Sequence, residues 1–188
     1  MGVVQQARYR LWQFWIWVQN PDLSKTQRME IASILNPDEI ALFYRQDVGG
    51  QHHAYRVAQA IIAQGDHSDE LLKAALLHDV GKSRMGVAWW DRPVVVLGEA
   101  LFPNRTKEWS RGSPDSWKRP FVVKANHALW GAEDAAAAGS PTITVELIRW
   151  HQTAAASITE SQAPVESEAL TVKFTRFLDL LQQADGIN

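Results

Sequence analysis

At 188 residues, with 46% hydrophobic and 21% charged residues, the chain has the composition of one globular domain long enough to bury a substantial core. It contains no cysteine, which excludes disulfides and any thiolate metal site. The net charge of −2 hides an asymmetry: from Lys82 to Lys124 nine Lys or Arg stand against four acids, so that stretch carries +5 and the remainder −7. A local cationic excess suits a small anionic ligand. Without a recognised binding motif it gives no reason to expect a nucleic acid partner.

Met1 to Tyr9 has no basic patch followed by an apolar run and a small-residue cleavage site, so no secretory signal is read and a cytoplasmic location is expected. Leu11 to Val18 is apolar and carries Trp12, Trp15 and Trp17. It is well short of the roughly 20 apolar residues needed to span a bilayer. Asn20-Pro21 ends it and no basic face accompanies it, so burial is expected rather than membrane contact. Asn36-Pro37-Asp38-Glu39 has the form of a capping box with Pro in the first turn. A helix over 51–64 carries Val57, Ala60 and Ile61 at helical spacing and ends at Gly65. Ser68 or Asp69 caps the next, from Leu71 to about Asp79, with Leu71, Leu72, Ala75 and Leu76 as its core stripe and Gly81 as its stop.

Residues 84–120 read as an irregular connection with one helix near Pro93 to Phe102, and Trp89, Trp90, Trp109 and Trp117 read as packing anchors. The β-branched run Val94-Val95-Val96 is compatible with a buried helix. His127 is read as opening an Ala-rich helix that ends at Gly139, and Ser140-Pro141 as starting another with Val145, Ile148 and His151 three apart. The last helix runs from about Ser167, with Phe174, Phe177, Leu178 and Leu181 facing inward. The expected fold class is all-α: a helical bundle over 35–188 with an N-terminal helical segment, 1–34, packed on it and the 84–120 insertion on the substrate side.

Four histidines and two aspartates fall on the inner faces or ends of these helices. His53 sits one turn before Val57, His78-Asp79 terminates the apolar run Ala74 to Leu77, His151 continues the stripe of Leu147 and Ile148, and Asp185 follows Leu181 by four residues. Polar groups in such places are costly unless something pairs with them. Imidazole nitrogen and carboxylate oxygen together suit a first-row divalent ion. The sequence gaps are 25 residues from His53 to His78, 48 from Asp79 to His127, 24 to His151 and 34 to Asp185. Apart from the adjacent pair His78-Asp79, each ligand therefore comes from its own helix, as in bundle-core metal sites. His52 points about 100° away from His53 on a helix, and His67 lies in a polar turn; both are placed outside the cluster.

The ordered set resembles the HD-domain superfamily of metal-dependent phosphohydrolases. The resemblance rests on His53-Ala54-Tyr55-Arg56-Val57, on Leu77-His78-Asp79-Val80-Gly81-Lys82, and on Asn126-His127-Ala128-Leu129-Trp130-Gly131-Ala132-Glu133. Leu147-Ile148-Arg149-Trp150-His151-Gln152 and Leu181-Gln182-Gln183-Ala184-Asp185 complete it, over roughly residues 35–188. It implies one divalent ion (Mn, Fe, Mg, Co or Zn) on His53, His78, Asp79 and Asp185, and a second on Asp79 as bridge with His127 and His151. It implies a metal-activated hydroxide attacking phosphorus in a small phosphomonoester or phosphodiester, a nucleotide in particular. Asp79 and Lys82 would be the catalytic pair, Lys82 holding a phosphate oxygen, with Arg84 and Arg56 as further substrate contacts and Asp47 and Glu133 as additional polar candidates. The competing reading is a non-catalytic metal- or nucleotide-binding signalling module. His151 is followed by Gln152 and no Gly-Tyr-Pro follows, unlike the cyclic-dinucleotide phosphodiesterase branch of that family. Oligomeric state stays open at this point.

Overall fold

In the computed structural model, which describes residues 22–86, 91–153 and 168–187, every regular element is a helix. The Trp-rich stretch 11–18, Trp89-Trp90 and Ser167 lie outside the described residues. The order is α1 (Lys25–Ile34), α2 (Pro37–Phe43), α3 (Val48–Ala63), α4 (Asp69–Leu77), a 3-10 helix (Val80–Arg84), α5 (Asp91–Leu101), α6 (Pro103–Trp109), α7 (Arg119–Ala137), α8 (Thr142–Trp150) and α9 (Glu168–Ile187). The chain is thus all-α, as its periodicity predicts. No described helix is long and apolar enough to cross a membrane.

The predicted capping box is present, and it reaches further than one helix end. Asn36 Oδ1 accepts from Glu39 N at 2.9 Å, and Glu39 Oε2 accepts from Asn36 N at 2.8 Å. Glu39 is fully buried, and the same carboxylate takes Lys73 Nζ at 2.8 Å and Ser140 Oγ at 2.7 Å. One local sequence signal therefore fastens α2 to α4 and to the α7–α8 turn. Helix α3 starts at Val48 rather than Gln51 because Asp47 caps it, accepting from Gly50 N at 2.6 Å. Asp47 is accounted for as a cap, not as a site residue. Gly65, with φ +88°, closes α3 as predicted.

Four expectations are corrected. His127 does not open its helix: α7 begins at Arg119, eight residues earlier, because Pro120 fits the first turn of a helix instead of breaking one. Residues 84–120 hold two helices, not one, since Phe102-Pro103 ends α5 and starts α6. In α5 only Val95 of the valine run is buried, while Val94 and Val96 are exposed. Gly81 is not a left-handed stop either. A Cβ there would lie 2.0 Å from His127 O and 2.6 Å from Gly131 N, so the bare backbone lets the 3-10 helix lie directly on α7.

The core is built from Val57 and Ile61 (α3), Leu71, Leu76 and Leu77 (α4), Leu147 and Ile148 (α8) and Phe174, Phe177, Leu178 and Leu181 (α9), all buried. Each such side chain contributes roughly 1.5–3 kcal/mol of burial. Trp109 packs between Phe102, Trp117 and Phe121 at ring-centroid distances of 5.9, 5.1 and 5.0 Å, which bears out its reading as an anchor. The four core helices, with α7, deliver their polar residues to one place.

Candidate metal centre

All six sequence-identified ligands converge. His53 comes from the middle of α3, His78 from the C-cap of α4, Asp79 from the turn into the 3-10 helix, His127 from α7, His151 from the C-cap of α8 and Asp185 from α9. They form two triads, His53–His78–Asp185 and Asp79–His127–His151, and in each the ligand atoms lie within 4.8 Å of one another. The imidazoles make a continuous row, with centroids 5.3 Å apart between His53 and His78, His78 and His151, and His151 and His127.

Asp79 joins the triads. Its Oδ1 faces His127 Nε2 at 3.4 Å and His151 Nε2 at 3.9 Å, while Oδ2 faces His78 Nε2 at 3.6 Å. On the other side of the first triad, Asp185 Oδ1 lies 2.9 Å from His53 Nε2 and 3.7 Å from His78 Nε2. Lys82 Nζ donates to Asp79 Oδ2 at 2.5 Å and is about one-third exposed. Asp79 precedes a helix whose end it does not cap. Its position is therefore tied to the Lys82 ammonium and to the cluster that it joins.

Backbone carbonyls fix the orientation of three imidazoles. His78 Nδ1 donates to Ala75 O at 2.9 Å, His151 Nδ1 to Ile148 O at 2.7 Å, and His127 Nδ1 to Val123 O and Lys124 O at 3.0 Å each. A carbonyl only accepts, so each Nδ1 carries the proton and each Nε2 presents its lone pair to the carboxylates. Gln152 Nε2 donates to His127 Nε2 at 3.1 Å, in keeping with that tautomer. His78 Nε2 is buried and has no hydrogen-bond partner among the described residues. A buried lone pair aimed between carboxylates is costly unless a cation takes it.

Charge states agree with ligand chemistry. Burial holds His78 below its usual range against the pull of Asp79 and Asp185, and burial lowers His151 to about 3. Both are neutral at pH 7, the form a metal requires. For Asp79 burial alone would raise the carboxyl, but the Lys82 ammonium beside it outweighs burial and holds the group well below the carboxylate range. The hydrogen bond from His53 lowers Asp185 despite partial burial. The donor set is thus four imidazoles, those of His78 and His151 held neutral by burial, with an ionised bridge and an ionised terminal carboxylate, which fits divalent ions and leaves their identity open among Mn, Fe, Mg, Co and Zn.

Other expected site residues go elsewhere. The Arg84 guanidinium is held on α7, with Nε and Nη2 on Asp134 at 3.1 and 2.7 Å and Nη1 on Glu133 at 2.9 Å. Arg84 and Glu133 are thus paired at the contact of the 3-10 helix with α7, outside both triads. Arg56 is exposed, and among the described residues no ion pair joins it to the cluster. His67 is exposed, as read. Two glutamines were missed. Besides Gln152, Gln182 Nε2 donates to His151 O at 3.0 Å and to Thr153 O at 2.7 Å, tying the end of α8 to the helix that carries Asp185. The position of Gln182 three residues before Asp185 was the only signal available in the sequence.

Comparisons with protein-family models, with curated proteins and with solved structures gave no match to this chain.

Proposed function

We propose that the protein is a metal-dependent phosphohydrolase of the HD type, acting on a small phosphomonoester or phosphodiester such as a nucleotide. The observation that carries this reading is the bridge: one buried carboxylate, Asp79, splits its two oxygens between two histidine groups and is met by a partly exposed lysine. His53, His78, Asp79 and Asp185 would hold one divalent ion, and Asp79, His127 and His151 a second. Divalent ions held there would supply Lewis acidity and a water that ionises near neutral pH. The carbonyls of Ala75, Ile148, Val123 and Lys124 keep the imidazoles oriented, so no reorganisation is needed as ligands engage. Lys82, at the solvent side of Asp79, would take a phosphate oxygen and stabilise charge that develops on it. The +5 stretch that it opens favours approach of an anion.

The test is hydrolysis of nucleoside mono-, di- and cyclic phosphates with Mn, Mg, Fe(II), Co or Zn supplied, for the wild type and Asp79→Ala. The expected result is metal-dependent turnover in the wild type, with metal and activity lost together in the variant. Full metal content and full activity in Asp79→Ala would refute the assignment. Tight metal binding with no turnover on any substrate would favour the non-catalytic binding module.

A further inference from the structure

Helix α5 carries apolar residues around its whole circumference, and only part of that circumference is covered. Val95 and Gly98 face α7, where Gly98 packs on the Phe121 ring, and Glu99 pairs with Lys124. On the other side Val96, Leu97 and Leu101 are each more than half exposed, and Leu101 reaches 66%. Helical positions 93, 97, 101, 96 and 100 form a stripe without a charged residue. The patch continues past the helix end. Phe102 follows Leu101, Trp117 is 64% exposed, and both rings rest on Trp109, which links them into one surface.

The charges beside this surface carry a basic excess. Arg119 and Lys124 are answered by Asp91 and Glu99. Arg105, Lys107 and Arg111 are exposed and form no ion pair among the described residues. Lys118 lies 6.0 Å from the Trp117 ring. Against these four cations the segment 102–118 holds two acids, Glu108 and Asp115.

We propose that the α5–α6 face docks on an anionic lipid bilayer, peripherally, with Val96, Leu97, Leu101, Phe102 and Trp117 entering the interface and Arg105, Lys107, Arg111 and Lys118 meeting the headgroups. Exposed Leu, Phe and Trp beside Lys and Arg is the chemistry of interfacial helices. The basic excess selects this occupant over a second copy of the chain, because a two-fold contact on this face would set one cationic surface against its own image. The element differs from the Trp-rich stretch 11–18, for which burial is expected. The proposal does not depend on the metal reading.

The experiment is co-sedimentation of the full chain with vesicles of phosphatidylcholine alone and of an equal mixture with phosphatidylglycerol, alongside sedimentation velocity without lipid. Binding is expected to the mixed vesicles only, and to weaken with added salt. Leu97→Asp with Leu101→Asp should abolish it; the side chains are exposed, so the fold should persist, which circular dichroism checks. Lys107→Glu with Arg111→Glu should weaken it by at least about tenfold, from roughly fivefold for each basic residue near the surface. Absence of binding to mixed vesicles overturns the proposal. So does binding that the leucine variant leaves unchanged, which would assign it to another segment. A lipid-free dimer that the leucine variant dissociates, with no vesicle binding, would assign the face to a second copy.

Discussion

Replacing Gly81 by Ala tests whether the metal cluster depends on a backbone-to-backbone contact. The added Cβ would sit 2.0 Å from His127 O and 2.6 Å from Gly131 N, where real Cβ contacts essentially never fall below 3.0 Å. The 3-10 helix and α7 must therefore separate by about 1 Å, and neither obstacle is a flexible side-chain end. The collision is with the backbone of His127 itself, and Gly81 is two residues from Asp79, so the displacement widens the 3.4 Å approach of His127 Nε2 to Asp79 Oδ1. Overpacking of this kind costs about 1–3 kcal/mol, and a rigid contact places it at the upper end. For a domain of this size about 3 kcal/mol corresponds to a fall of roughly 6–12 °C in Tm. Metal ligation tolerates about 0.2 Å, so affinity at the Asp79–His127–His151 group should fall by at least about tenfold. Calorimetric melting of the metal-free protein and titration with Mn or Zn measure the two effects. Gly131→Ala is the control: its Cβ meets Ile148 Cγ2 at 3.2 Å and Gly81 N at 3.3 Å, a crowding that small shifts relieve. If Gly81→Ala melts and binds metal like the wild type, the close approach is not what assembles the centre.

Lys82→Ala should keep its metal content, measured by elemental analysis, while turnover falls on the order of 10²–10³-fold, the loss typical of one charge-stabilising group. Parallel loss of metal would instead make Lys82 a structural partner of Asp79. Glu39→Ala removes a capping-box acceptor and leaves Lys73 without its carboxylate in a mostly buried place; urea denaturation should show a loss of about 3 kcal/mol or more, with metal content of the folded fraction unchanged. Acidification should destabilise the metal-free protein, because burial holds His151 at about 3 when folded against a usual 6.5, and His78 is lowered too. Between those values the unfolded chain binds more protons, so stability is fully present above about pH 6.5 and is lost as pH falls toward 3, at up to about 1.4 kcal/mol per pH unit for each such histidine. Urea midpoints that stay flat from pH 7 to pH 5 would contradict the buried, neutral imidazoles.

What could be read from the sequence was what is local or periodic. The α2 cap was legible because Asn36 and Glu39 are three residues apart and satisfy each other. His53, His151 and Asp185 were legible because each continues an apolar stripe, so a burial argument that places Leu147 and Ile148 also places His151, and His78-Asp79 because the pair ends one; His127 was picked out by the resemblance. The start of α7 was hidden because Lys118 makes no side-chain cap and Pro120 looks like a breaker. The role of Gly81 was hidden because its neighbour is the backbone of residue 127, a tertiary contact with no sequence signature. Arg84 looked free for a substrate only because its carboxylate partners on α7 lie about fifty residues on. The exposure of Val96 and Leu97 also contradicts the simple rule that an apolar run is buried, since a helix can be apolar on more faces than its neighbours cover.

The way the histidines are held also bears on the order in which the site would fill. His78 and His151 are the C-cap residues of α4 and α8, so two helix C-termini point at the cluster. Their Nδ1 protons satisfy carbonyls of the last turn, Ala75 O and Ile148 O, which the helices themselves leave unpaired. One interaction thus ends the helix and aims the ligand, and no distant partner is needed to orient either ring. Each helix end also brings a partial negative charge of about half a unit. Added to ionised Asp79 and Asp185, that field attracts cations and repels anions. Among the described residues Lys82 is the one Lys or Arg paired with the cluster, and it is already bonded to Asp79. A phosphate would therefore meet a net repulsive site until divalent ions neutralise it, and under the proposed function metal must precede substrate.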